Sequence, residues 1–355
     1  MNTIEKHRRS VAWWLFGVSA MVFGMIALGG LTRLTESGLS MVDWKPLMGV
    51  IPPIGEAAWI EKFNQYKAYP EYQKINVGMT LSDFQYIFYF EYGHRVLGRL
   101  IGMAFGLPAL YFGIRGAFSG AFRNRIVVLF FLGGLQGLVG WWMVKSGLVD
   151  RPDVSHYRLT THLGLAVFLY IALLWTAFRH ARGGEGVSYD WSNGARWSLA
   201  WLGMVYATLL SGGLVAGLNA GAQYNTFPLM GGKWIPDGLF IRDPLLSNLT
   251  ENLVTVQFNH RYLAMTTATL IVAFALKRLK QVTTVRQRYA LIAMIAAVVF
   301  QVSLGISTLL TAAWVPLASM HQMGAILLLS SLVWATHELS VVSESKKKEH
   351  KSLAS

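Results

Sequence analysis

Eight apolar stretches separated by polar segments constrain the fold of this chain more than any other feature of its sequence. A helix needs about 20 apolar residues to cross the hydrocarbon core of a bilayer, and each stretch reaches that length. A backbone surrounded by lipid must satisfy its hydrogen bonds internally, so such stretches fold as α-helices. We predict eight transmembrane helices, near residues 11–31, 84–114, 125–144, 157–178, 196–217, 253–276, 288–311 and 316–338.

The composition agrees with a membrane protein and argues against several other classes. Of the 355 residues, 54% are hydrophobic and only 14% are charged, which is too little polar surface for a soluble globule of this size. The formal charge of +13 could suggest nucleic-acid binding, but the basic residues fall between the apolar stretches. We therefore expect membrane lipid and no nucleic acid as a partner. The absence of cysteine excludes disulfides, iron–sulfur clusters and thiol chemistry.

The charges of the connecting segments predict the orientation of the chain in the membrane. Basic residues concentrate in the N-terminal segment, in every second connection and in the tail at 343–355. The positive-inside rule places that side in the cytoplasm, so both termini are expected to be cytoplasmic. The first apolar stretch is longer than the core of a signal peptide, and we expect it to be retained as a helix. The charged tail is expected to be disordered.

The two halves of the chain resemble each other in sequence. The segment GGLTRLTESGLSMVDWKP from Gly29 has a counterpart in GGLVAGLNAGAQYNTFP from Gly212. EYGHRVLGR at 91–99 likewise matches QFNHRYLAM at 257–265, and TTHLGLA at 160–166 matches SMHQMGA at 319–325. Four helices in each unit is an even number, so both units should enter the membrane in the same direction, related by an axis along the membrane normal.

This repeat predicts the architecture and the domain organisation. We expect an all-α integral membrane protein whose eight transmembrane helices form two pseudo-symmetric four-helix bundles. The N-terminal bundle is expected at residues 1–185 and the C-terminal bundle at 186–342, followed by the disordered tail at 343–355.

Four histidines lie inside the predicted helices at positions that are equivalent in the two halves. His94, His162, His260 and His321 each follow the outer end of an even-numbered helix by several residues, so they share one depth. An ionisable side chain inside a membrane is costly and usually functional, although a single one could simply bond to a neighbouring helix. We expect the remaining histidines to be solvated or interfacial: His7, His156, His180, His337 and His350.

Two histidines on facing helices favour heme over other metal centres. A neutral imidazole is a standard axial ligand of heme iron, and helix-bundle interiors commonly hold cofactors. Zinc and copper sites need further ligands that are scarce here. Arg95, Arg99 and Arg261 follow the histidines and could pair with heme propionates or with lipid phosphate. Small residues could admit a flat macrocycle or simply serve helix packing: Gly93, Gly98, Gly102, Gly134, Gly137, Gly140 and Gly164.

One position breaks the symmetry between the halves. Glu91 precedes His94 by three residues, about one helical turn, so both side chains project from one face of their helix. The equivalent residue in the second half is Gln257. A carboxylate near a heme in a low dielectric could accept a proton or stabilise positive charge on a substrate. Its structural alternative is a hydrogen bond to a histidine or to Arg95.

Taken together, these segments resemble the heme A synthases, which convert heme O to heme A for cytochrome c oxidases, and specifically the branch shared by alphaproteobacteria and mitochondria. The resemblance covers nearly the whole chain. It implies that His94 and His162 flank the substrate heme iron in the first half and that Glu91 is the acid that takes part in oxidation. It also implies that His260 and His321 are the axial ligands of a heme b cofactor in the second half.

The resemblance further implies the reaction and its setting. Such an enzyme is an oxidoreductase that converts the C8 methyl of heme O to a formyl group by successive hydroxylations with water-derived oxygen. Arg95 and Arg99 would then belong to the substrate site and Arg261 to the heme b site. The expected location is a bacterial inner membrane, with heme O synthase and cytochrome c oxidase assembly factors as partners and a homo-oligomer as a further expectation. Another branch carries cysteine pairs in its outer loops, and this chain has none.

Two other interpretations remain open from the residues. A diheme b-type electron-transfer protein would use the same histidines, but it would spread its hemes over both leaflets and would not need Glu91. A heme carrier or insertion factor would use the duplicated bundle as a passage and would leave the porphyrin chemically unchanged.

Overall fold

The protein is built from α-helices, eight of which can cross a membrane. The computed structural model describes residues 3–42, 51–148 and 153–342, so the predicted tail at 343–355 lies outside the described residues. Its helices are α1 (Thr3–Leu34), α2 (Glu56–Lys67), α3 (Pro70–Lys74), α4 (Leu81–Ile114), α5 (Gly120–Lys145), α6 (His156–Arg182), α7 (Asn193–Gly217), α8 (Asn248–Glu251), α9 (Leu253–Leu279), α10 (Val285–Leu310) and α11 (Val315–Ser340). The eight long and apolar ones are α1, α4, α5, α6, α7, α9, α10 and α11, which confirms the all-α membrane fold.

Short polar residues fix where several spanning helices begin. α4 starts with a capping box, in which the Thr80 side chain accepts from the Asp83 N–H at 3.2 Å and the Asp83 carboxylate accepts from the Thr80 N–H at 3.1 Å. Ser119 caps α5, Asn252 caps α9 and Thr284 caps α10 in a similar way. Because these caps lie in polar connections, the helices extend beyond the hydrophobic stretches that predicted them.

The same pattern of helix packing occurs in both halves. In the first half α1 packs against α4 and α6, and α5 packs against the same two helices. In the second half α7 packs against α9 and α11, and α10 packs against those two. The halves meet where α1 contacts α11, α6 contacts α7, and α6 contacts α11. This packing agrees with the repeat, while the domain boundaries remain predictions.

Polar side chains hold the two halves together along this seam. The Tyr170 hydroxyl on α6 lies 2.8 Å from that of Ser330 on α11. The Gln322 amide on α11 donates to the Ile26 carbonyl on α1 at 2.9 Å. A β-carbon at Gly30 would lie only 2.0 Å from the Gln322 side-chain oxygen, so the glycine makes this close approach between the halves possible.

Two histidines that were expected to be solvated or interfacial are buried. His180 near the end of α6 is 5% exposed, and its ring lies 4.0 Å from that of Phe122, measured between centroids. His337 near the end of α11 is fully buried against Trp175 and Phe178. The expectation was wrong because α6 and α11 pack against several helices at once, which covers even their charged ends.

The outer segment between α1 and α4 has a small core of its own. Trp59, Phe63 and Tyr66 from α2 pack against the start of α4. The Tyr66 hydroxyl donates to the Glu71 carboxyl at 3.0 Å, and Glu71 is 5% exposed. Burial raises the pKa of this carboxyl to about 8, and negative charge on Glu91 adds to the effect, while the bond from Tyr66 opposes it.

We expect the docking of α2 and α3 to weaken as the pH rises. Glu71 holds a proton in the folded state that an undocked carboxyl loses above its ordinary pKa of 4.5, so stability falls between about pH 5 and about 8. Glu71→Gln should remove this dependence because an amide stays neutral. Hydrogen exchange of the segment 56–74 measures it, with Glu61→Gln at an exposed position of α2 as the control. Equal pH dependence in wild type and Glu71→Gln would contradict this expectation.

Candidate functional site

Each of the four predicted histidines lies against a glycine of a neighbouring helix. A β-carbon added to any of these glycines would fall 2.8–3.1 Å from an imidazole atom, which is closer than most side-chain contacts in proteins. The four contacts are Gly29 on α1 with His94 on α4, Gly140 on α5 with His162 on α6, Gly212 on α7 with His260 on α9, and Gly305 on α10 with His321 on α11. The helices therefore approach closely at every histidine, and the contact is repeated in both halves.

The histidines form two pairs, one in each half. His94 and His162 are near enough to interact electrostatically, and so are His260 and His321. All four are partly buried on helices that line the interior of their half. The described residues hold no group of three or more His, Cys, Asp and Glu side chains that could hold a metal ion by themselves. A ligand that brings its own equatorial donors, as heme does, fits a pair of imidazoles.

Side chains that the sequence analysis missed contact the second ring nitrogen of three histidines. The Ser211 hydroxyl lies 2.8 Å from Nδ1 of His260. The Gln301 amide lies 3.1 Å from Nδ1 of His321, and the Gln136 amide lies 3.1 Å from Nδ1 of His162. The signal for the glutamines was present in the sequence, because QGLVG at 136–140 recurs as QVSLG at 301–305, with the contacting glycine at the end of each.

The hydrogen bonds of the second half set the ring tautomer of His260. Ser211 donates its proton to the Thr208 carbonyl at 2.6 Å, so its oxygen is left to accept from Nδ1–H of His260. The Nε2 lone pair of the imidazole is then free to bind a metal. The geometry thus fits the predicted axial ligation.

At His321 the glutamine amide has a polar atom with no partner. The Gln301 side-chain oxygen is buried without a hydrogen bond, although the amide nitrogen lies beside Nδ1 of His321. A half-turn of the amide exchanges its oxygen and nitrogen and lets the oxygen accept from Nδ1–H. That orientation satisfies both groups and again leaves Nε2 free.

Glu91 is buried near the first pair and fully engaged in hydrogen bonds. One carboxylate oxygen accepts from the Ser40 hydroxyl at 2.8 Å and from the Met41 N–H at 2.7 Å. The other accepts from the Arg95 guanidinium at 2.6 Å, and Arg95 also donates to the Met41 carbonyl at 2.8 Å. The structural role considered for Glu91 in the sequence analysis, a hydrogen bond to Arg95, is therefore present in the molecule. This network docks the outer segment onto α4 and compensates the buried charge.

Gln257 performs the same docking in the second half without a charge. Its side-chain nitrogen donates to the carbonyls of Gly221 and Tyr224 at 3.3 and 3.1 Å, which hold the outer loop onto α9. Arg261 donates to the Thr226 carbonyl in the same loop. Docking of an outer loop at this position thus does not require a carboxylate.

The other predicted site residues lie where their helices place them. Arg95 is occupied by Glu91 and the Met41 carbonyl, and Arg99 lies one turn further along α4. Of the seven glycines suggested as space for a macrocycle, Gly140 alone touches an imidazole, whereas Gly164 packs against Tyr206 of α7. The propionate contacts of the arginines remain predictions.

Comparison with known proteins identifies relatives along almost the entire chain. A family model described as "Cytochrome oxidase assembly protein" (COX15-CtaA) matches residues 12–333. The chain is 46% identical to heme A synthase of Nitrosospira multiformis over 94% of both proteins. It is 44% identical to heme A synthase of Rhodospirillum centenum over 93% of this chain and 88% of the relative. It is 42% identical to human heme A synthase COX15 over 93% of this chain and 83% of the relative.

The contact between Gly140 and His162 can be tested with two substitutions on the same helix, α5. Gly140→Ala should displace the His162 imidazole, because the added methyl would lie 2.9 Å from it, and weaken heme binding by the first pair about ten-fold or more. Heme titration of the purified protein, followed by absorbance, measures the effect. Gly137→Ala is the matched control, since its added methyl meets no atom within 4 Å. Equal heme affinity in both variants would show that the close contact at Gly140 is dispensable.

Proposed function

This chain belongs to the cytochrome oxidase assembly protein family and is a heme A synthase, an oxidoreductase of heme O, and from that membership we propose that its two histidine pairs divide the work. The first pair holds the substrate and the second holds a resident cofactor. Electron transfer or heme carriage alone, which the residues left open, would not account for the synthase relatives.

The first pair is proposed as the site of heme O. His94 and His162 lie near enough to interact electrostatically and would flank the substrate iron. Arg95 and Arg99 follow His94 on α4, on the side of the docked outer segment, and would lie near the propionates. The glycine behind each imidazole lets the ring lie close to its neighbouring helix.

The second pair is proposed to hold heme b through His260 and His321, with Arg261 beside it. The support is chemical, because both imidazoles have a neighbour that can accept from Nδ1–H and leave Nε2 for iron. Heme b, when bound, would supply a one-electron redox centre. Arg261 stays with the carbonyl of Thr226 and keeps the outer loop closed over this pair.

The assignment of the first half as the catalytic one rests on the difference between Glu91 and Gln257, which occupy equivalent positions in the two halves. Both residues dock an outer loop, Glu91 by accepting from the Met41 N–H and the neutral Gln257 by donating to the Tyr224 carbonyl. A buried carboxylate costs more to maintain than an amide, so its retention in one half only points to chemistry rather than to docking. Glu91 is one turn from His94 and therefore beside the substrate.

We assign Glu91 the role of proton acceptor for the oxidation of the C8 methyl group. Each hydroxylation with water-derived oxygen is a two-electron oxidation that also releases two protons. The two electrons pass to an external electron acceptor, and a carboxylate near the reacting carbon takes the first proton from the attacking water. Arg95 and the Met41 N–H hold the carboxylate in place. A second hydroxylation at the same carbon gives a hydrated aldehyde, which loses water to give the formyl group.

The proposed setting is the inner membrane of a bacterium, with both termini in the cytoplasm. The basic connections at 115–125, 179–182 and 277–288 alternate with the outer loops that cover the histidine pairs, which supports this orientation. Heme O arrives from its synthase and heme A leaves to cytochrome c oxidase assembly factors in this proposal. A homo-oligomer is compatible with the exposed apolar helix faces.

The catalytic assignment is tested by exchanging the two docking residues. Glu91→Gln keeps a side-chain oxygen that can accept from the Ser40 hydroxyl and the Met41 N–H, so the protein should retain bound heme while formation of heme A falls about 100-fold or more. Extraction of the porphyrins followed by chromatography and mass spectrometry gives the ratio of heme O to heme A. Gln257→Glu is the matched control and should leave that ratio at the wild-type value. Undiminished heme A production by Glu91→Gln would refute the role of the carboxylate.

A further inference from the structure

The two proposed hemes differ in how long they must stay bound. A substrate heme has to enter and its product has to leave in every catalytic cycle, whereas a resident cofactor must remain through many cycles. Hydrogen bonds to the far nitrogen of a ligating imidazole strengthen metal binding about 10–100-fold, because they fix the ring and raise its basicity. The hydrogen bonds around the histidines can therefore separate an exchanging site from a permanent one.

Both imidazoles of the second pair have a polar side chain in contact with Nδ1. Nδ1 of His260 contacts the Ser211 hydroxyl at 2.8 Å, and its ring also interacts with the backbone of Thr208. Nδ1 of His321 contacts the Gln301 side chain at 3.1 Å, and its ring also interacts with the backbone of the same residue. Each ring thus has two contacts on the helix that carries its glycine, and neither can rotate freely.

The first pair is held less firmly. In the described ranges 3–42, 51–148 and 153–342, His94 makes no side-chain hydrogen bond. The Gln136 amide nitrogen lies 3.1 Å from Nδ1 of His162 and also donates to the His162 carbonyl at 3.1 Å, so exchanging its amide atoms to accept from Nδ1–H would break the second bond. The substrate pair therefore combines one unheld ring with one that is partly held.

The ring of His94 is also turned differently from the other three. Gly140, Gly212 and Gly305 each face the Cε1 atom of their histidine most closely. Gly29 instead faces Nε2 of His94, which would lie 3.1 Å from an added β-carbon, and then Cδ2 at 3.4 Å. The nitrogen that binds iron in most such sites is thus turned toward the helix backbone, and the ring has to rotate to present it.

A single sequence position accounts for much of this difference. Ser211 directly precedes Gly212, and the equivalent residue before Gly29 is Leu28. Leu28 has no group that can accept from an imidazole, and its side chain instead lies 3.8 Å from the β-carbon position of Gly93 on α4. The repeat thus offers a hydroxyl anchor to the first histidine of the second half and an apolar side chain to that of the first half.

We infer that Leu28 and Ser211 set the exchange rates of the two hemes, so that the unanchored His94 releases the porphyrin of the first site and the anchored His260 retains heme b. This inference rests on the proposed function for the assignment of the hemes to the two pairs. Leu28 and Ser211 act through the histidines and are positioning residues. The covalent chemistry at the porphyrin is unaffected by their role.

The test measures heme release from the purified full chain in lipid nanodiscs that carries heme O and heme b. Excess apomyoglobin captures each released heme, and chromatography with mass analysis identifies it over time. Wild type should lose heme O at least ten-fold faster than heme b. Ser211→Ala should speed release of heme b about ten-fold, and Ser211→Thr, which keeps the hydroxyl, should restore slow release. Leu28→Ser should slow release of heme O about ten-fold, whereas Leu28→Ala should not.

The outcomes distinguish failure of the inference from failure of the proposed function. Equal release rates of the two hemes in wild type, or unchanged rates in both Ser211→Ala and Leu28→Ser, would overturn the inference. If the hemes are instead assigned to the wrong pairs, the same variants would change release of the other porphyrin, with Ser211→Ala accelerating heme O and leaving heme b unchanged. Rescue by Ser211→Thr separates loss of the hydrogen bond from a general loosening of the second half.

Discussion

Close contact between helices at four glycines is the constraint on which the rest of this structure depends. The absence of a side chain at Gly29, Gly140, Gly212 and Gly305 lets each histidine ring lie directly on the backbone of the adjacent helix. In lipid, helices gain little from burying apolar surface against each other, so such contacts and the polar bonds beside them determine the packing. The distance between facing imidazoles, and therefore the ligand that fits, follows from these four positions.

The spanning helices could be predicted because hydropathy over a helix-length window measures the property that a bilayer selects. The side chains that contact the histidines could not be predicted from the sequence. Ser211 and Gln301 act across a helix interface, and which faces meet depends on the rotation and tilt of each helix, which apolar sequence leaves open. The burial of His180 was missed for a similar reason, since charged neighbours in sequence said nothing about the packing of α6.

Duplication is visible in the hydrogen bonds as well as in the helices. Glu91 and Gln257 each dock an outer loop from equivalent positions, yet only the carboxylate can take part in acid–base chemistry. Ser211 and Leu28 occupy equivalent positions, yet only the hydroxyl can anchor an imidazole. The halves keep a shared framework of glycines and histidines and differ in the residues next to it, which is where their separate roles are expressed.

The seam at which Gln322 reaches the Ile26 carbonyl beside Gly30 joins the halves much as an interface joins two subunits. In a symmetric dimer of identical chains, every substitution appears twice and each interface residue must suit its own copy. Covalent linkage of the repeats removes that restriction. The residue equivalent to Gln322 in the first half is Leu163, so one contact across the seam is polar and its counterpart is not. A single polypeptide can thus evolve an asymmetric pair of sites that a homodimer of the same fold could not encode.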